Sequence, residues 1–146
     1  MEQLLLHILI PQVRHALDPL QFAYQAKVGV EDAIIYLLHR AHSYLEKGKG
    51  AVRIMFFDFS RAFNTIQPLR LSDKLLQMGV NIHLVSWITD YLTERPQFVR
   101  LKDCLSETVV CSTGAPQGTV LSPVLFTLNT SDFILKNGVM PHPEVL

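Results

Sequence analysis

Between Ala51 and Phe59 the chain is almost continuously apolar, with Val52, Ile54, Met55, Phe56 and Phe57, and the run closes on one carboxylate, Asp58. A stretch apolar on both faces predicts a central strand covered on both sides rather than a solvated edge. That expectation constrains everything around it, because such a strand needs hydrogen-bonded neighbours and layers above and below. Ser60-Arg61-Ala62-Phe63-Asn64-Thr65-Ile66 follows and reads as a turn opening into a helix. A strand would fix the direction of Asp58 while the turn exposes its oxygens, which suits a ligand for a divalent metal. Taken alone, an Asp between a strand and a helix reads first as a turn former or N-cap. Phe63, five residues on, reads alone as an aromatic packed beneath the strand.

A second segment, Gly114-Ala115-Pro116-Gln117-Gly118-Thr119-Val120-Leu121-Ser122-Pro123, lies about fifty residues downstream. Gly114 and Gly118 let backbone approach a ligand with no Cβ in the way. Gln117 offers both a donor and an acceptor to a nucleotide. The plain alternative is a glycine-proline turn leading into a helix.

Around these segments the periodicity is mostly helical. Residues 2–16 read as a helix that Pro11 either ends or kinks, and Asp18-Pro19 marks a turn. Val30, Ile34, Leu37, Leu38, Ala41 and Leu45 fall at helical spacing, and Lys47-Gly48-Lys49-Gly50 stops that helix. His39 and His42 sit three apart on it, but no third ligand is evident, so they read as solvated histidines. Residues 69–78 read as a helix ended by Gly79, and 82–93 as another, with Val85, Ile88 and Leu92 on one face. Trp87 and Tyr91 are core or interface aromatics. Residues 97–102 and 108–111 alternate about a polar turn and predict a β-hairpin. A last helix is expected over 120–133, with Pro123 in its first turn. The sum is α+β, with helices around at least three strands.

The 146 residues fit one domain with one core. Hydrophobic residues make up 49% and charged residues 18%, a folded rather than a disordered composition. Thirteen basic and thirteen acidic residues cancel, so no global field draws nucleic acid. No segment has the length and apolar content of a membrane span, and the N-terminus lacks the basic start of a signal peptide. Cys104 and Cys111 have no zinc-like spacing, which makes a reducing compartment the default.

The ordered set of Asp18-Pro19-Leu20-Gln21-Phe22-Ala23-Tyr24, the Asp58 segment, Val85-Ser86-Trp87-Ile88, Gln97-Phe98-Val99-Arg100 and Gly114–Pro123 resembles the reverse transcriptase domain of LINE-type (non-LTR) retrotransposons. The resemblance runs to about Phe133. It implies a partial right-hand polymerase over residues 1–133, the fingers plus the first half of the palm, with an incomplete sheet and flanking helices. By the same resemblance Asp58 is the first catalytic metal ligand and the backbone carbonyl of Phe59 a second metal contact. Phe63 is the aromatic gate that excludes a 2′ hydroxyl, and Gln117 and Gly118 form the floor beneath the incoming nucleotide and its template base. The implied cofactor is Mg2+. The implied partners are an RNA template, a DNA primer and deoxynucleotides, with no membrane, in nucleus or cytoplasm.

Some features depart from the family. Its aromatic-x-Asp-Asp hairpin is expected some tens of residues after Gln117, but no adjacent Asp-Asp pair occurs in the sequence. Asp132, the only acid between Gln117 and Glu144, is a poor substitute. One carboxylate does not hold two Mg2+ ions against their hydration, so the chain is expected to be inactive in isolation and not to hold Mg2+ alone. The hairpin would pair beside the Asp58 strand, and without it Val52–Phe57 is expected to present an unpaired apolar sheet edge, open to association. A non-catalytic nucleic-acid-binding or complementation remnant is the alternative. Asn129 stands where the family has Tyr, and Lys27 is the only cation in a stretch where relatives carry triphosphate-binding arginines. Residues 134–146 have no family counterpart and are expected to form a divergent, disordered tail.

Overall fold

The computed structural model describes residues 1–25, 27–48, 50–56 and 58–132. Pro11 does not end the first helix. α1 spans Glu2–Val13 with Pro11 inside it, and Arg14–Ala16 then tighten into a 310 turn. The missing proline N–H costs the helix a bond. Leu9 and Val13, four residues apart and fully buried, hold this end of α1 against the core.

Three further helices complete that core. α3, Pro68–Gln77, begins on a proline whose absent N–H is an orphan of the first turn anyway. It ends at Gly79, whose φ of +79° allows Val80 N–H to donate to Leu75 O and Gly79 N–H to Leu76 O, each at 3.0 Å. α4 spans Ile82–Leu92, and Asn81 Oδ1 caps it by accepting from His83 N–H at 2.9 Å. α5 spans Leu121–Asn129, with Pro123 in its first turn. Leu71 and Leu75 of α3, Val85, Ile88 and Leu92 of α4, and Leu121, Leu125 and Leu128 of α5 interlock with α1 in one cluster. Each set recurs at three or four residues, the period of one helix face.

Mixed helix and antiparallel sheet is what the chain forms, but the sheet is not at its centre. β1 (Arg95–Gln97) pairs with β4 (Val109–Cys111), and β2 (Arg100–Leu101) with β3 (Cys104–Leu105). Ser106 N–H donates to Val99 O at 2.9 Å and Ser106 Oγ accepts from Val99 N–H at 2.8 Å, bridging the gap between the two ladders. The expected hairpin is therefore present, starting two residues early and broken in the middle. Helices pack on helices, and the expected layering of helices around at least three strands is not found among the described residues.

The central strand is the largest correction. Residues 51–56, 58 and 59 form no ladder with any described residue, and Ile54, Met55 and Phe56 are 46%, 67% and 82% exposed. Phe57 lies outside the described residues. A strand exists only when a neighbour takes its N–H and C=O groups, and composition names the candidate without supplying that neighbour. The unpaired strand edge expected over Val52–Phe57 is not found among the described residues, which form no strand there.

α2, Val30–Leu45, has the expected bounds, and Gly29 N–H donates to Asp32 Oδ2 at 2.7 Å to secure its start. None of its residues is buried. Its apolar stripe of Val30, Ile34, Leu38 and Leu45 faces out. His42 Nδ1 lies 3.3 Å from Glu46 Oε1 one turn on, and both are exposed. The expected tail, residues 134–146, and Phe133 lie outside the described residues.

Candidate functional site

After Asp58 the backbone turns sharply. Arg61 takes a left-handed φ of +56°, and Ala62–Thr65 form a 310 turn in which Asn64 N–H donates to Arg61 O at 2.8 Å and Thr65 Oγ–H to Ala62 O at 2.6 Å. The helix expected here is this single tight turn. Asp58 is exposed and has no hydrogen-bond partner among the described residues. Phe59 and Phe63 both pack edge-on against Phe126 of α5, with ring centroids 5.6 and 5.7 Å apart and interplanar angles of 85° and 61°. Phe63 is half-buried by that contact.

The second segment is locked to this turn through its backbone. Gly114 N–H donates to Ile66 O at 2.7 Å and Ala115 N–H to Phe63 O at 2.9 Å. Gly114 has a φ of +72°, and a Cβ there would lie 2.9 Å from Asn64 Cα and 3.1 Å from Phe63 O. A glycine is required at this point because two backbones meet, not because a ligand approaches. Gly118 differs: its φ is +79°, but nothing described lies within 4 Å of the position a Cβ would take. Its requirement is the turn itself, and the space beside it is open.

Pro116 O is held by two hydroxyls, accepting from Ser122 Oγ at 2.6 Å and Thr119 Oγ1 at 3.2 Å. Ser122 is buried in doing so. Gln117 and Gly118, next along, are both exposed. The loop is thus pinned at Gly114–Ala115 and again at Pro116, with Gln117 projecting from its outer side.

Several residues that hold this arrangement carried no signal in the sequence. Arg95 Nη2 donates to Thr113 O at 2.9 Å and Gly114 O at 3.0 Å, from the base of the hairpin. Glu2 Oε2 accepts from Val120 N–H at 2.9 Å, while its Oε1 accepts from Tyr91 Oη at 2.9 Å. An acidic residue 118 positions away in sequence therefore caps α5, where a helix N-terminus attracts negative charge. Burial pushes the Tyr91 phenol above its ordinary value, a hydrogen bond with Thr119 opposes that, and the Glu2 carboxylate adds to it. Trp87 stacks on Tyr91 at 5.3 Å. The Asp58 segment, the Gly114–Pro123 segment and their family resemblance are what pointed here beforehand.

The structure brings together the two segments singled out from the sequence, and their junction is Phe63–Ile66 against Gly114–Ala115. The family model described as reverse transcriptase (RNA-dependent DNA polymerase) matches residues 1–137. The chain belongs to this family. A curated reverse transcriptase, the RNA-directed DNA polymerase from mobile element jockey of Drosophila funebris, is 27% identical across the whole of this chain. The chain spans 16% of that protein's length. Both findings bear out the LINE-type resemblance read from the sequence. No solved structure matches the chain significantly.

Reverse transcriptases bind nucleic acid templates and nucleotides and generally work with divalent metal ions. No described helix is long and apolar enough to cross a membrane. Among the described residues no three His, Cys, Asp or Glu side chains come together. Asp132 is engaged elsewhere, 2.6 Å from Lys74 Nζ, and this hydrogen bond holds its carboxyl below the ordinary carboxylate range. A single exposed carboxylate does not fit a pair of divalent ions, each of which needs several hard oxygen ligands.

Proposed function

We propose that this chain supplies the fingers and the first half of the palm of a non-LTR retrotransposon's RNA-directed DNA polymerase. In this reading Asp58 contributes one ligand to catalytic Mg2+, with the Phe59 carbonyl beside it, and the remaining carboxylates come from outside these 146 residues. Phe63 stands under the sugar of the incoming deoxynucleotide and rejects a 2′ hydroxyl by bulk. Gln117 and Gly118 lie beneath the nucleotide and its template base. The partners are an RNA template and a DNA primer, and the place of action is nucleus or cytoplasm.

The observation that carries the reading is the pair of backbone hydrogen bonds joining Phe63 and Ile66 to Ala115 and Gly114. They make one rigid unit of the turn after Asp58 and the loop before Gln117. Exposed Gln117, with both a donor and an acceptor, and the open space at Gly118 agree with contact to a base.

As a separate polypeptide the chain is expected to extend no primer, because its one site carboxylate leaves most of a two-metal site unfilled. Primer extension on an RNA template with deoxynucleotides and Mg2+ tests this. Extension by the wild type that disappears in Asp58→Ala would overturn the claim of inactivity. Binding of dTTP on an RNA–DNA primer duplex, weakened about tenfold by Gln117→Ala, tests the nucleotide reading itself.

A second reading is favoured by the exposed apolar residues Ile54, Met55 and Phe56. There the chain is a complementation fragment, completed by pairing this segment with another polypeptide. Concentration-independent monomer mass in sedimentation would count against it.

A further inference from the structure

We propose that Arg95 is a positioning residue for the nucleotide site, holding the Gly114–Gly118 loop in register with the turn after Asp58. The claim rests on the reading of Gln117 and Gly118 as nucleotide contacts. Its basis is the set of bonds made by one guanidinium. Nη2 donates to both Thr113 O and Gly114 O, and Nε donates to Leu92 O at 3.2 Å at the end of α4. The peptide groups of Gly114 are consequently held from both sides, its carbonyl by Arg95 and its N–H by Ile66 O.

The backbone of Arg95 also pairs opposite Cys111 in the β1–β4 ladder. One residue thus sets where the chain enters the loop and where the loop begins to turn. From there the fixed points run without a gap: Arg95 to Gly114, Gly114 and Ala115 to Ile66 and Phe63, and Pro116 O to Ser122. Gln117 follows directly on these anchors. A displacement at Arg95 is passed to Gln117 by bonds alone, because Gly114 offers no side chain to pack.

The chemistry is specific to a planar fork. Lysine presents one nitrogen and cannot span Leu92 O, Thr113 O and Gly114 O at once. Arg95 keeps this geometry although its Nη1 is buried with no partner among the described residues. A residue serving only to fill space would avoid that desolvation. The fork reaches three carbonyls at once.

Arg95→Lys in the 146-residue chain provides the test, with Arg95→Gln as the second variant should the lysine protein not fold. Amide hydrogen exchange at Gly114 and Ala115 is expected to rise about tenfold, with Leu75 and Ile88 unchanged. Affinity for dTTP on an RNA–DNA primer duplex is expected to fall about tenfold while affinity for the duplex alone holds. Unchanged exchange at Gly114 overturns the proposal, as does faster exchange spread equally over α3 and α4. Faster local exchange with undiminished dTTP affinity shows a merely structural arginine and also overturns it. A wild type that binds no dTTP removes the nucleotide reading and this inference with it. Equal dTTP binding by wild type and variant removes the inference and leaves the reading intact.

Discussion

Two glycines in one loop make different demands. Gly114 needs both its left-handed backbone and an empty Cβ position, since Asn64 Cα would stand 2.9 Å away. Gly118 needs only the backbone conformation. Gly114→Ala is therefore expected to cost about 3 kcal/mol and Gly118→Ala about 1 kcal/mol, read by urea denaturation. Equal costs would refute the backbone junction. Tyr91 adds a pH dependence with a definite sign. Its folded pKa is raised above the ordinary 10.0, so its contribution is whole below pH 10 and fades as pH climbs through the raised value. Replacing it in Tyr91→Phe should flatten that alkaline limb of a stability–pH curve. Loss of the cap in Glu2→Ala is expected to cost about 1 kcal/mol, checked by thermal melting against wild type. The glycine pattern was legible in the sequence, whereas Glu2 and Arg95 were not. Glu2 acts on groups brought near only by folding, and of the three carbonyls Arg95 reaches, only Leu92 O is local while Thr113 O and Gly114 O arrive by folding.

Helices were legible and the strand was not, for one reason. α2, α3 and α4 satisfy their backbone groups within a short stretch, so spacing and stop signals such as Gly79 suffice to place them. Residues 51–59 carry a strand's composition, but their bonds must come from elsewhere in the chain. α2 shows the limit of periodicity from the other side: the stripe of Ile34, Leu38 and Leu45 exists, yet no described element covers it. Charging that stripe with Ile34→Lys and Leu38→Glu should therefore change the free energy of unfolding by less than about 0.5 kcal/mol per substitution. By contrast, Ile88→Ala in α4 should cost about 3 kcal/mol, since that side chain is fully buried. Equilibrium denaturation of both sets would separate covered from uncovered faces.

Over the whole molecule, burial is divided unevenly along the chain. Among the described residues, α1 and the segment from Ile66 to Leu128 supply every buried apolar residue, and those of 17–60 supply none. Limited trypsinolysis should therefore cut first at sites such as Arg53, leaving products that include the α3–α5 body intact. Early cleavage within α3 or α4 would contradict this division. The site is composed from the packed part, except for Asp58 and Phe59, which arrive from the uncovered stretch and rest on Phe126 through Phe59.

The junction at Gly114 bears on how such a chain tolerates change in length. Between Ile66 and Gly114 the backbone makes an excursion through two helices and a hairpin, then returns to a point fixed by backbone hydrogen bonds. It is drawn closed a second time at Arg95 and Cys111. Anything added beyond that inner closure, at the Lys102-Asp103 tip, lies outside both clasps, and lengthening an already closed loop carries little further entropy cost. Extra residues there should leave Gln117 where it is, so the spacing between the two segments is free to drift among proteins that share this junction.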